Sequence, residues 1–177
     1  MKTKDVLTII AFIIMVTGFV SLFFYQKNNS KNLEKNGLRT VGKIDVIGQD
    51  VVCTYTVKDQ AYSKRVTSPY YGLVSGESYI IAYDSLDNDN FQIIYSLPVL
   101  SKEYQYNNTK TENISTSFED NEVVKYTFIV GNNKYERLQQ IGEDKKSFNK
   151  QNTFLVKYNI INPQMAYVYL DSIVSGK

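Results

Sequence analysis

Apolar residues along this chain fall into two regimes. The first is one unbroken run, VLTIIAFIIMVTGFVSLFFY, from Val6 to Tyr25, without a charge. As a helix rising 1.5 Å per residue it reaches about 30 Å, the thickness of a bilayer core. No face of the run is polar, which disfavours a soluble core helix. Its end, Leu22-Phe23-Phe24-Tyr25, is bulky and aromatic, as an interfacial belt is. A cleaved secretory signal has a shorter apolar region that ends in small residues; Val16-x-Gly18, the nearest match, falls inside the run. The pattern predicts an N-terminal tail over 1–5 and a single transmembrane helix over 6–25. Lys2 and Lys4 precede the run and Lys27, Lys31 and Lys35 follow it, so the positive-inside rule does not choose an orientation. The shortness of the tail favours a signal-anchor, with the C-terminal region outside the cytoplasm.

The second regime begins after a polar stretch without periodicity, 26–37, which reads as a tether or a frayed helix end. From Leu38 on, apolar and polar residues alternate in short segments: RTVGKIDVIG, DVVCTYTV, AYSKRV, then SYIIAYD and NFQIIYSL. The connector TSPYYGLVSGE separates the third from the fourth, with Pro69, Gly72 and Gly76 as breakers. Five short strands over 38–98 suit a small antiparallel barrel or curved sheet, laid out like SH3-like or OB-like barrels. Residues 99–112 read as a linker. A second set then fills 113–177: ISTSF, EVVKYTFIV, NKYERLQQ, TFLVKYN and MAYVYLDSIV.

The two sets align. Val51, Cys53, Tyr55, Val57 and Tyr62 match Val124, Tyr126, Phe128, Val130 and Tyr135 at an offset of 73. Tyr79, Ile81, Tyr83, Phe91 and Ile93 match Phe154, Val156, Tyr158, Ala166 and Val168 at an offset of 75. The difference falls in the connector, where insertions are tolerated. Apolar character is kept at every matched position while the residues between vary, as in an internal repeat constrained by its inward face. The expected inward faces are Val51, Cys53, Tyr55, Val57, Tyr79, Ile81 and Tyr83 in the first unit, and Val124, Tyr126, Phe128, Val130, Phe154, Val156 and Tyr158 in the second. The fold class is therefore mainly β: a transmembrane helix followed by a tandem repeat of two small units.

Composition narrows the chemistry. The 177 residues include 15 Tyr and 9 Phe, which favour strands. A net charge of +2, scattered along the chain, gives no footprint for nucleic acid. Histidine is absent, which removes Ser-His-Asp and Cys-His catalysis and histidine-containing zinc sites. The one cysteine, Cys53, permits no intrachain disulfide, and alternation places it inward as a small hydrophobe. YDSLDNDN, 83–90, holds three aspartates, but an EF-hand-like loop from Asp87 would need Gly where Gln92 stands and Glu where Pro98 stands. Its repeat partner YNIINPQM has no acid, so a solvated hairpin turn is the reading. Ser63-Lys64 points to opposite faces of a strand, and Gly72-x-x-x-Gly76 lacks the lysine and helix of a phosphate loop. No catalytic, cofactor or metal residue is assigned, and the chain reads as a non-enzyme. Candidate partner-binding residues are the outward face of KYTFIV, Lys125, Thr127 and Ile129, together with Tyr104 and Tyr106. Tyr70-Tyr71 and YVY at 167–169 are further Tyr-rich candidates.

GESYIIAYD (76–84) and FLVKYNIINPQMA (154–166) resemble segments of bacterial membrane-anchored domains of unknown function, in which one N-terminal span precedes a small β domain. Asn162-Pro163 keeps the turn of those domains; Asp87-Asn88 replaces it in the first unit. The resemblance implies residence at the cell membrane and transfers no site. Taken together, these observations lead to the expectation of a membrane-anchored β module that binds or assembles with a protein partner at the cell envelope. The alternatives are an immunity-type protein that neutralises a toxin at the membrane and, behind it, an envelope hydrolase working through carboxylates.

Overall fold

The computed structural model of the protein describes residues 3–68, 72–116, 122–142, 145 and 148–175, with side chains for all of these except 3–9, 11, 26, 27 and 175. Pro69, Tyr70 and Tyr71 of the connector, and Ser117 and Phe118 of ISTSF, lie outside the described residues. The chain divides into two compact units. One comprises Met1–Leu38 with Ala82–Gln92; the other comprises Arg39–Ile81 with Ile93–Lys177.

In the smaller unit, helix α1 runs Thr3–Asn36. It continues through most of the polar stretch 26–37, and the Gly37 amide closes it on the Leu33 carbonyl at 2.8 Å. Leu33 is buried, whereas every described side chain of the apolar run, Ile10 and 12–25, is exposed. Among the described residues, no helix is long and apolar enough to cross a membrane. They hold a helix where the apolar run predicts one, but they do not support the transmembrane span.

Ten strands follow: β1 Leu38–Ile47, β2 Asp50–Val57, β3 Gln60–Thr67, β4 Ser78–Tyr83, β5 Phe91–Val99, β6 Tyr106–Thr116, β7 Val123–Val130, β8 Asn133–Gln140, β9 Thr153–Asn159 and β10 Ala166–Ser175. They form two five-stranded sheets, ordered β3-β2-β1-β4-β5 and β10-β9-β6-β7-β8. Read from its other end, the second order is the first with each strand replaced by the one five places later. The duplication therefore extends from residue pattern to topology.

Register carries the repeat further. Tyr55 faces Tyr62 across β2 and β3, and Phe128 faces Tyr135 across β7 and β8. Both pairs stack, with centroids 5.4 and 5.5 Å apart. The two-residue turns between these strands differ in chemistry. Lys58 and Asp59 both take left-handed backbone, at φ 48° and 65°, as a type I′ hairpin requires. In the second unit the positive φ, 60°, falls on Gly131.

The loops after β4 and β9 share a set of hydrogen bonds at the offset of 75. Asp84 N–H donates to the Asn90 carbonyl at 3.0 Å, as Asn159 N–H does to that of Met165 at 2.9 Å. The Asp84 carboxylate accepts from Leu86 N–H, as the Asn159 side chain does from Ile161 N–H. Asp87 accepts from Asp89 N–H, as Asn162 does from Gln164 N–H. Asp84 and Asp87 of YDSLDNDN thus serve the backbone of a hairpin turn, the role read from the sequence.

Of the expected inward residues, all seven of the first unit are buried: Val51, Cys53, Tyr55, Val57, Tyr79, Ile81 and Tyr83. In the second unit Val124, Tyr126, Phe128, Phe154 and Val156 are buried, and Val130 and Tyr158 pack half-buried against the same cluster. Strand β6 begins at Tyr106 and so takes in 106–112, which the sequence reads as linker. It pairs with β7 on one side and β9 on the other. Its alternation is hidden because a threonine occupies its most buried position. Thr111 lies opposite Phe128, and its hydroxyl accepts from Phe154 N–H at 2.9 Å.

The second sheet curls until its edges nearly meet. The side-chain amide of Gln139 in β8 accepts from Val168 N–H of β10 at 2.8 Å and donates to the Val168 carbonyl at 3.2 Å. A buried glutamine thus supplies both bonds that a neighbouring strand would have made, and it joins the two edge strands.

Candidate functional site

The connector between β3 and β4 carries the most unusual group of the larger unit. Glu77 is 0% exposed and Arg137, in β8, is 4% exposed. Their side chains meet at 2.5 Å, Arg137 Nη2 to Glu77 Oε1. The other carboxylate oxygen accepts from Val74 N–H and from the Tyr79 hydroxyl, both at 3.0 Å. Arg137 Nη1 also donates to the Gly72 carbonyl. One guanidinium therefore grips the connector at its backbone and at its acid.

Local sequence makes this possible. Glu77 shares the strand parity of Tyr79 and Ile81, so it enters on the inward face. Gly76, at φ 91°, turns the chain where a Cβ would stand 2.9 Å from Met165 Cε and 3.1 Å from the Tyr104 hydroxyl. The Gly76 and Ile44 amides then tie the connector to β1, through the Ile44 and Glu77 carbonyls at 2.7 and 2.8 Å.

Electrostatics follow from burial. Loss of solvent raises the pKa of Glu77, opposed by the Arg137 charge and by the three donors. The Tyr167 hydroxyl, buried without a hydrogen-bond partner among the described residues, is raised by desolvation and then by Glu77. Tyr106 is raised first by desolvation and more weakly by Glu77. Three donors meet the carboxylate, Val74 N–H and the Tyr79 hydroxyl on one oxygen and Arg137 on the other, and the residue is closed to solvent. This arrangement ties the connector to β8.

Among the described residues, clefts open at the surface of this unit. One, of about 540 Å³, is lined by Gly72–Ser75, Glu136–Leu138, Asn162 and Gln164. Another, of about 270 Å³, includes Lys43, Tyr55, Ser101 and Glu103. At its rim Lys43 pairs with Glu103 at 3.2 Å and lies 5.6 Å from the centroid of the Tyr104 ring. Cys53 is fully buried, and burial pushes its thiol up to about 12.

The expected partner-binding residues are dispersed. Lys125 is exposed and paired with Glu136 at 2.8 Å, and Ile129 is exposed. Thr127, expected on the outward face, is 8% exposed, and its hydroxyl is buried without a hydrogen-bond partner among the described residues. Alternation alone assigns it to solvent, but both faces of β7 are covered at that position. It is therefore withdrawn from the surface set. Tyr104 and Tyr106 are half-buried near Gly76 and Glu77, where they belong to the packing of the connector. Sequence reasoning missed Glu77 and Arg137. The available signal was an acid at the inward parity of Tyr79 and a base at the parity of Tyr135 and Gln139. Comparison of the chain with family models, curated proteins and solved structures found no match.

Proposed function

We propose that this chain is a membrane-anchored β module, held by the apolar run of α1 and presenting a duplicated β unit for binding or assembly at the cell envelope. The observation that carries the reading is the run itself. Twenty uncharged residues, 6–25, lie within one unbroken helix, and every described side chain among them is exposed. Large side chains such as Phe12, Phe19 and Phe23, more than half exposed, gain free energy only by leaving water. The duplicated β unit supports a presenting rather than a catalytic role. Its inward faces are filled by packed side chains, and its buried acid is held by three donors.

Fractionation of source cells tests the anchor: the protein stays with membranes through high-salt washing and leaves with detergent. Recovery in the soluble fraction overturns it. Crosslinking in intact membranes followed by affinity capture tests the binding role, with the same partner recovered in independent preparations as the expected result. Capture of no reproducible partner contradicts that role.

A further inference from the structure

The seam between the two edge strands of the second sheet is bridged at one end and open beyond it. Four successive antiparallel pairings, from β10 through β9, β6 and β7 to β8, leave β10 and β8 running parallel across that seam. The Gln139 side chain bridges it at Val168. Counting back along both chains from this bridge leads to Glu136–Leu138 on one side and to Gln164 and Asn162 on the other. These residues, with Gly72–Ser75 of the connector, line the cleft of about 540 Å³.

Register decides which way the β8 backbone faces. Val130 and Asn133 flank a two-residue turn, so they exchange both of their main-chain hydrogen bonds, and Phe128–Tyr135 and Tyr126–Arg137 do likewise. Ile141 N–H keeps the same phase, donating to the Glu122 carbonyl at 2.8 Å. Glu136 and Leu138 fall between these pairs and therefore direct their N–H and C=O groups away from β7, toward the seam. Among the described residues, nothing bonds to those groups. Exposed edges are often blunted by a proline or a bulge. β8 has neither, and its register runs uninterrupted from Asn133 to Gln140.

We propose that the open part of the seam receives an extended peptide segment of a partner protein, added to β8 through the main-chain groups of Glu136 and Leu138. The proposal deepens the binding role given above and rests on that role, not on the anchor. Strand addition supplies a row of main-chain hydrogen bonds, while alternate side chains supply selectivity. Gln139 shows that the seam accepts this chemistry, because its side-chain amide already donates and accepts there as a peptide group does. Gln164, exposed and with no side-chain hydrogen bond among the described residues, offers a second amide to the far side of the segment. Leu73, Val74 and Leu138 favour an apolar residue at the position beside Leu138. The connector and the loop before β10 wall the cleft, which suits a single extended chain better than the whole sheet of a second copy.

The test selects a display library of random heptapeptides on the full chain in detergent micelles, and the enriched peptides are then synthesised. At saturation they are expected to slow hydrogen exchange at the Glu136 and Leu138 amides and to leave Tyr135 and Arg137, already within the ladder, unchanged. N-methylation of alternate peptide nitrogens is expected to weaken binding about tenfold per lost hydrogen bond, and methylation of the nitrogens between to leave it unchanged. Glu136→Pro removes the outward N–H and keeps the β7–β8 ladder, so it is expected to lose binding. Unchanged exchange at Glu136 and Leu138, or indifference to the position of the N-methyl group, overturns the proposal. A dimer of the native chain that Glu136→Pro dissolves also overturns it, by seating a second copy in the seam. A library that yields no enriched peptide overturns it as well and leaves partner capture through another surface standing.

Discussion

Glu77 and Arg137 show how much one pair of side chains can hold. Each is buried, and removing one partner of such a pair strands the other charge at a cost of about 3–5 kcal/mol. Arg137→Met is therefore expected to lower unfolding stability by about that amount in urea titrations at neutral pH. The sign of its pH dependence is fixed by burial, which raises the folded-state pKa of Glu77. A carboxyl raised in this way favours the folded state while protonated and loses that contribution as pH rises above its unfolded value. Without Arg137 the rise is larger, so the deficit of the variant shrinks as pH is lowered. A deficit that stays constant with pH contradicts the buried-charge account. Cys53 supplies a second residue-scale prediction. With its thiol pushed up to about 12 by burial, alkylation at pH 8 is negligible in the native protein and proceeds in denaturant. The same shift means that any stability due to this group is present below its unfolded value of 9.0 and is lost as pH rises toward 12. Prompt native-state labelling would place Cys53 outside the core.

Among the elements, apolar inward positions made strands plain, and a polar one hid most of β6. β2, β4, β7 and β9 show their alternation plainly in Val51-x-Cys53-x-Tyr55 and Phe154-x-Val156. β6 was read mostly as linker because Thr111 fills the place that faces Phe128, satisfied by a bond to Phe154 that only the fold provides. Arg137 and Glu77 escaped for a related reason. They are 60 residues apart, and their counterparts at the repeat offsets, Lys64 and Asn152, do not form such a pair. Gln139 is the element-scale test. Its amide bridges β8 and β10, so Gln139→Leu leaves the Val168 amide and carbonyl without these bonds. The expected cost is about 1–3 kcal/mol for groups left unsatisfied in a buried site. Hydrogen exchange at the Val168 amide should accelerate more than at Val156, which lies within the β9 pairings. Unchanged exchange at Val168 would mean that the glutamine does not close the sheet.

At the scale of the whole molecule, one sequence pattern is written twice onto one topology, and a helix with an exposed apolar run precedes it. The duplication was legible because an inward face tolerates little change while loops tolerate much. DSLDNDN and NIINPQM share almost no residues, yet they fold into the same turn because Asp and Asn can both accept from the backbone two residues on. The proposed anchoring rests on the apolar run, and alkaline carbonate extraction tests it most directly. Membranes carrying the full chain are washed beside membranes carrying Ile13→Arg with Val16→Arg, each arginine costing about 2.5–3.5 kcal/mol near the centre of an inserted helix. The account predicts that the native protein stays in the membrane pellet and that the double variant is released. Release of the intact native protein into the carbonate supernatant would contradict it.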